Sequence, residues 1–351
     1  MVLLVGLEEL SGNLRNIDRT KRDLKAAYPM IDLLLENAVA PSGSDPTRAI
    51  NFADLVGCAD CVAFPEANLV TNYLEGFVES VDSTYGCVSV HGGVVAATNN
   101  WFFLHPDETM LLSLYLQSES HASTLRDVPV FLPVKSPTVP FRLVTCDLVS
   151  GVTVSVLCGP SPSLSDLEDI LGKCWGSSQP LLASLQSIHP RRFPLVKVDT
   201  SVLAFMVINL DTRKVLSSLQ PHYCSSGDAG GVTKKTEGSD MSPARKSDIL
   251  RSFYRMTVGP IFPDIFIANP YGVDPTSGEA LAYKAVPHAQ LSHGVSDTYV
   301  VSEFHKCYAL QHMQFQLFAI FMSAVPNHSM RNIANRTLDL VIKDKAFSII
   351  K

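Results

Sequence analysis

An order of elements that occurs twice constrains this chain more than any motif in it. Between Tyr85 and Trp175 the apolar spacing predicts a hairpin, Tyr85–Val90 and Val94–Thr98, around a His91-Gly92-Gly93 turn. A helix over His105–Gln117 follows, then extended runs at Val128–Leu132, Phe141–Leu148 and Val152–Leu157, and a helix at Leu164–Trp175. Strands show as alternation or short β-branched runs, helices as apolar positions three and four apart. After Val198 the order returns. Val202–Leu210 is apolar throughout, which predicts a strand buried on both faces, and Asp211–Lys214 turns it into Val215–Leu219. A helix capped by Ser242, with Pro243 at its first position, comes next. Strands near Ala282–Val286, Thr298–Leu310 and Phe315–Val325 and a helix from about Ser329 complete the second unit. A sheet whose faces must be covered by helices gives an α+β fold, here present in duplicate.

The rest of the chain is consistent with two such units and excludes several classes of function. At 351 residues there is room for two or three domains. With 46% hydrophobic and 18% charged residues the chain carries enough apolar surface to fold rather than stay disordered. Its net charge of -6 and the lack of any Lys/Arg run longer than two argue against nucleic acid or an anionic membrane as partner. The longest apolar run, Phe315–Val325, is about half of a membrane span. Met1–Leu7 lacks the basic flank and cleavage site of a signal peptide. The eight scattered cysteines read as reduced thiols in a cytosolic protein.

Residues 1–38 read as helical and incomplete. Leu3, Leu4, Leu7 and Leu10 share a helical face, and Gly12-Asn13 breaks it. Asn16 suits the cap of a second helix, whose stripe runs Ile17, Leu24, Ala27, Tyr28, Ile31 and Leu35, with Pro29 expected to kink or restart it. Such helices, with no sheet before them, fit either the tail of a preceding domain or a cover for the first sheet. Residues 39–57, with Pro41 and Pro46, read as a linker. A short helix is expected over Asp60–Ser80, with Leu69, Tyr73, Leu74, Phe77 and Val78 inward, and the first full unit occupies 58–190. A capping box, Ser165 to Glu168, opens the helix at Leu164, and Pro180–Ile188 adds further helical turns before a Pro190-Arg191-Arg192 linker. The second unit occupies 191–351 and carries a polar insert over 224–241, expected to be disordered, and a turn-rich insert over 263–280.

Candidate chemistry is sparse. Cys58-Ala-Asp-Cys61 has the spacing of a redox pair or metal knuckle, yet no second close Cys/His pair follows it. A thiol oxidoreductase using Cys58 and Cys61 is the remote enzymatic reading. His91-Gly92-Gly93 resembles an oxyanion-hole loop, but the chain has no Gly-x-Ser-x-Gly elbow, and a hairpin turn accounts for the glycines. His288, His293, His305 and His312 match no ligand signature, and no phosphate-binding glycine loop is present. Ser136-Pro137-Thr-Val-Pro140 reads as a stiff rim between strands. No catalytic, metal or cofactor residue is assigned, and no cofactor is implied. The chain is expected to work by holding partners.

Several runs in one order carry a family resemblance: Met1-Val-Leu-Leu-Val-Gly-Leu-Glu-Glu-Leu10, Cys58-x-x-Cys61, Gly93-Val-Val-Ala-Ala-Thr98, Pro129-Val-x-Leu-Pro133, Ser136-Pro-Thr-Val-Pro140 with Arg142, and Leu157-Cys-Gly-Pro-Ser-Pro162. Together they resemble the Fuzzy family of planar cell polarity effectors. The resemblance implies consecutive longin domains, each a five-stranded, mostly antiparallel sheet flanked by helices in ββαβββα order. Residues 1–38 would then be the closing helices of a first longin domain. It further implies partnership with Inturned and a WD-repeat planar polarity effector, binding of a Rab-family or Rab-like small GTPase, and a site of action at the ciliary basal body within the cytoplasm and cytoskeleton. No partner-interface residue can be assigned from it. A longin-type trafficking adaptor or tether without exchange activity is the alternative.

Overall fold

The computed structural model describes residues 2–6, 17–25, 27–39, 52–118, 125–194, 196–223, 241–262 and 295–351. Its helices are α1 (Val2–Val5), α2 (Ile17–Lys25), α3 (Tyr28–Val39), α4 (Ala53–Val56), α5 (Ala67–Ser80), α6 (Asn99–Phe102), α7 (Pro106–Ser118), α8 (Leu164–Trp175), α9 (Gln179–Ser187), α10 (Pro243–Thr257) and α11 (Asn327–Lys343), with a closing 3₁₀ turn at Lys345–Ile350. Its strands are β1 (Ala59–Cys61), β2 (Tyr85–Val90), β3 (Gly93–Ala97), β4 (Leu125–Leu132), β5 (Ser136–Val149), β6 (Val152–Cys158), β7 (Val202–Asn209), β8 (Lys214–Ser218), β9 (Asp297–Val301), β10 (His305–His312) and β11 (Phe315–Met322).

The duplicated unit is present. The first copy orders its strands β4-β5-β6-β2-β3 and the second β8-β7-β11-β10-β9, so each places its first strand beside its last. All pairs within a copy are antiparallel. What the pattern did not announce is that the two sheets are one. The three residues of β1 lie between β3 and β8, parallel to both, and complete a continuous sheet of eleven strands.

Each half buries both sheet faces. In the first, α5, α8 and α9 cover Val88, Val90, Val95, Val154 and Val156, with Tyr73 stacked on Trp175. Trp101, Leu112, Leu114 and Tyr115 cover the other face over Val130, Leu143 and Leu157. In the second half α11 and the 3₁₀ turn cover Phe205, Leu216 and Leu317. Opposite them α10 sets Leu250, Phe253 and Tyr254 against Met206, Phe318 and Ile320. Every residue of β7 is buried, as its unbroken apolar run requires.

Several local expectations shift. The helix expected over Asp60–Ser80 begins at Ala67, because Ala59–Cys61 is extended; Val70 joins Leu74, Phe77 and Val78 inside while Leu69 is exposed. The chain breaks between Lys25 and Tyr28, so the helical wheel restarts there. Tyr28 and Leu35 then face solvent, and Ala27 and Met30 are buried. Leu3 and Met30 lie in the core with Trp101 and Val130, so the N-terminal helices cover a face of the first sheet. The strand expected over Thr298–Leu310 is two strands, split by Ser302–Phe304. The 39–57 linker is structured at its end, where Phe52 is fully buried and α4 forms. Leu7, Leu10, Gly12, Asn13, Asn16, Pro41–Pro46, the 224–241 insert up to Asp240, the 263–280 insert and the strand near Ala282–Val286 lie outside the described residues.

The cap of α8 is Ser163 rather than Ser165. Its Oγ accepts from the Asp166 N–H at 3.4 Å and donates to the Asp166 carboxylate at 2.6 Å, an N-cap two residues earlier than Ser165. Ser163→Ala should cost about 1 kcal/mol, read as a lower midpoint of chemical denaturation, whereas Ser165→Ala, which removes only an exposed hydroxyl 3.0 Å from the Ser163 Oγ, should lower it by less.

Candidate functional site at the seam of the sheets

The seam is built from residues that carry no known motif. Gly57 ends α4 in the left-handed region (φ 58°) and turns the chain into β1. The strand then pairs on both sides: Ala59 N–H donates to Arg213 C=O at 2.8 Å, and Val62 N–H to Val94 C=O at 2.8 Å. Asp60 stands opposite Val215 in the register and is fully buried. Its carboxylate forms an ion pair with Arg192, which is itself buried and held at positive φ (71°). Burial pushes the Asp60 carboxyl up, and the Arg192 guanidinium pulls it back. The Arg192 C=O accepts from Ala63 N–H, so one residue ties the connection between the halves to β1 by both backbone and side chain.

Three further contacts lie around this join. Arg251 of α10 donates to both carboxylate oxygens of Asp54 in α4, at 2.8 and 3.0 Å, and lies over the Phe52 ring. Lys214 of β8 places its ammonium 4.1 Å from the centre of the Phe102 ring in α6, and burial lowers its pKa. Arg191 stacks on Phe193 and donates to Val196 C=O at 2.9 Å and Tyr223 C=O at 3.3 Å. Beside Arg191 opens a cleft of about 250 Å³, walled by Phe64, Ser184, Ile188, Phe193 and Tyr223. Its polar lining is Glu66, Ser184, Ser187 and Arg191.

The Cys58/Cys61 pair sits at the centre of this seam and is not arranged for redox work. It lies at the entry to and end of a strand rather than at a helix start, so the two thiols project to opposite faces. Cys58 Sγ donates to Val56 C=O at 3.3 Å and Cys61 Sγ to Ala59 C=O at 3.6 Å. Burial pushes both thiols up to about 12, the reverse of an activated cysteine. In the folded protein neither should react with a thiol-specific disulfide reagent at pH 8; both should react after denaturation. Rapid labelling of either in the native state would contradict this assignment.

The other candidates are dispersed. His91 (φ 46°) and Gly92 (φ 79°) form the expected left-handed turn, and His91 stacks on His189 with ring centres 4.0 Å apart. His305 bonds Ser302 through its ring, and His312 lies at the far end of β10; His288 and His293 lie outside the described residues. Among the described residues no group of three or more His, Cys, Asp or Glu could hold a metal ion, and no helix is long and apolar enough to cross a membrane. Pro137–Pro140 opens β5 on an exposed stretch with no register partner, consistent with a stiff rim.

His189 is the titrating group of the seam. Burial, then His91 and Arg192, lower its pKa to about 4. Its neutral form is therefore favoured by folding, so stability present above the unfolded value of about 6.5 is lost as pH falls from there toward 4. Between pH 7 and pH 5 the thermal midpoint of the wild type should fall further than that of His189→Gln. His222 and His305, also lowered by burial, contribute to both proteins alike.

Asp60, Arg192, Asp54 and Arg251 are the residues that sequence reasoning missed. The available signal was an Asp inside the run Cys58–Phe64, otherwise small and apolar, and a pair of arginines at the junction between repeats. A charge within an apolar run implies a buried partner.

With this geometry in view, comparison with known proteins gives a consistent answer. Residues 81–176 match the model of the second longin domain of FUZ, MON1 and HPS1, and residues 201–345 match that of the third. The chain is 34% identical to the protein fuzzy homolog of Xenopus tropicalis over 355 residues, covering 99% of this chain and 77% of that protein. It is 34% identical to the human protein fuzzy homolog over 343 residues and 32% identical to that of the mouse, each covering 96% of this chain and 73% of the relative. Two domain models in tandem, each falling on one ββαβββα half of the sheet, together with this identity along the chain, place the protein in the Fuzzy family of longin-domain proteins.

Proposed function

We propose that this chain is a non-catalytic subunit of the ciliogenesis and planar polarity effector complex. In that role it pairs with Inturned, contacts a WD-repeat planar polarity effector, and with Inturned binds and activates a Rab-family or Rab-like small GTPase. The work is done at the basal body, in support of cilium assembly and intraflagellar transport. The observation that carries this reading is the fused sheet: two longin domains joined through β1 present one continuous surface. An exchange factor acts by binding the nucleotide-free state of its GTPase best, which needs a shaped, preorganised surface rather than an acid, a base or a nucleophile. Membership of the Fuzzy family supplies the remaining support.

The test is nucleotide release from candidate Rab-family GTPases, measured with the Inturned pair, with this chain alone and with neither. Faster release with the pair supports the proposal. An unchanged rate with a stable pair would leave a longin-type trafficking adaptor or tether as the function. Absence of any Inturned complex would overturn the proposal.

A further inference from the structure

The eleven-stranded sheet has two ends, β4 and β9, and they are the third strands of their respective repeats. The same position in the same fold is finished in opposite ways. β4 is guarded: it carries Arg126, Asp127 and Pro129, its register shifts between Val130 and Leu132, and α1 lies against it with Leu3 buried beside Val130 and Leu132. Charge, proline, bulge and cover are the devices that stop a sheet edge from pairing. Among the described residues β9 has no proline, bulge or cover, and its one charge, Asp297, stands at its start. Asp297-Thr-Tyr-Val-Val301 contains no lysine or proline, runs in unbroken register with β10, and has no outer partner among the described residues. Tyr299, Val300 and Val301 are 51%, 41% and 51% exposed, on both faces of the strand.

The phase of the ladder shows which backbone groups are on offer. Ser302 N–H donates to His305 C=O, and Gln311 N–H donates to Ser296 C=O, so the even-numbered residues of β9 bond inward to β10. Asp297, Tyr299 and Val301 therefore turn their N–H and C=O groups outward, three rungs spaced evenly about Tyr299. That set is its own complement. A second strand of identical sequence, antiparallel and centred on Tyr299, sets Asp297 against Val301, Tyr299 against Tyr299 and Thr298 against Val300. No like charges meet, and the Tyr299–Tyr299 and Thr298–Val300 pairs are favourable cross-strand pairs.

We propose that β9 is a self-association edge, through which two copies of this chain pair antiparallel across a two-fold axis at Tyr299 and extend one sheet into the next. The contact is isologous and closes at two copies. Its affinity comes from main-chain rungs rather than from a large buried area, so it is a reversible, concentration-dependent dimer.

Sedimentation equilibrium of the full chain tests this with proline as the probe. Tyr299→Pro and Val301→Pro each remove only outward N–H groups, so both should be monomeric while keeping the wild-type thermal midpoint. Val300→Pro removes an inward N–H and should lower that midpoint. Mild oxidation of Tyr299→Cys should give a disulfide-linked dimer absent from the wild type, because the facing Cα atoms of a bonded antiparallel pair lie about 5.5 Å apart. A wild-type chain that stays monomeric at its solubility limit would overturn the proposal. So would a dimer that survives Tyr299→Pro and Val301→Pro with unchanged strength, including one formed through another surface.

Discussion

Replacing Arg192 by Met should destabilise the protein by about 3–5 kcal/mol, because it strands the buried carboxylate of Asp60 in the middle of the sheet. Asp60→Asn should cost a comparable amount by leaving the guanidinium without its counter-charge. The cost in each case is that of an uncompensated charge away from water, which exceeds the modest net worth of the pair itself. Asp60→Asn combined with Arg192→Met should therefore lose well under the sum of the two single losses. Urea denaturation followed by circular dichroism, arranged as a double-mutant cycle, reads this directly. Single changes within about 0.5 kcal/mol of wild type, the range of ordinary surface substitutions, would show that the seam does not depend on this pair. The position carries a second constraint: a Cβ built on Gly93 would stand 2.5 Å from the Arg192 guanidinium and 2.6 Å from the Val62 side chain, so any side chain there would have to displace one of them.

The second large effect is expected at Phe52. This residue belongs by spacing to a linker, but its ring is fully buried with Val56, Leu250 and Phe253, and the Arg251 guanidinium lies 5.4 Å from its centre. Phe52→Ala should cost about 3–5 kcal/mol, the usual range for emptying an aromatic site in a core. Because α4 also abuts α7 of the first half, the loss should loosen the halves as well as the third-domain core. Limited proteolysis should then cut earlier between residues 188 and 201 than in wild type. Replacing Leu69, whose side chain is half exposed, should change neither measurement. If Phe52→Ala unfolds at the wild-type urea concentration, the residues before β1 are a tether and not a part of the seam.

Much of the fold was legible because it is written in local periodicity. The stripe Ile249, Leu250, Phe253 and Tyr254 appears buried along α10 as its spacing demands, and Ser242 with Pro243 starts that helix where their chemistry suits it. The solid apolar run of β7 could only be a strand covered on both sides. Errors fell where a periodic pattern runs across a break. Tyr28 and Leu35 were assigned to a stripe that continues through Lys25, and the interruption after that residue rotates them outward. Ser302 and Phe304 interrupt Thr298–Leu310 with a turn whose bonds come from Ser302 itself. The candidate site was the least legible part. A strand of three residues has no period to detect, and Cys58-x-x-Cys61 drew interest as chemistry when its role is to line the join.

Residue order alone determined that an α+β unit is used twice, which face of α10 is covered, and that the chain belongs with the Fuzzy family. Those properties depend on neighbours within a few positions, or on similarity along the whole chain. Only the tertiary structure decided that the two sheets share one strand, that Asp60 meets Arg192 across 132 positions, and that one end of the sheet is guarded while the other has no outer partner among the described residues. Strand pairing depends on which edges remain exposed after the cores have formed, and that is a property of the folded surface rather than of any stretch of sequence.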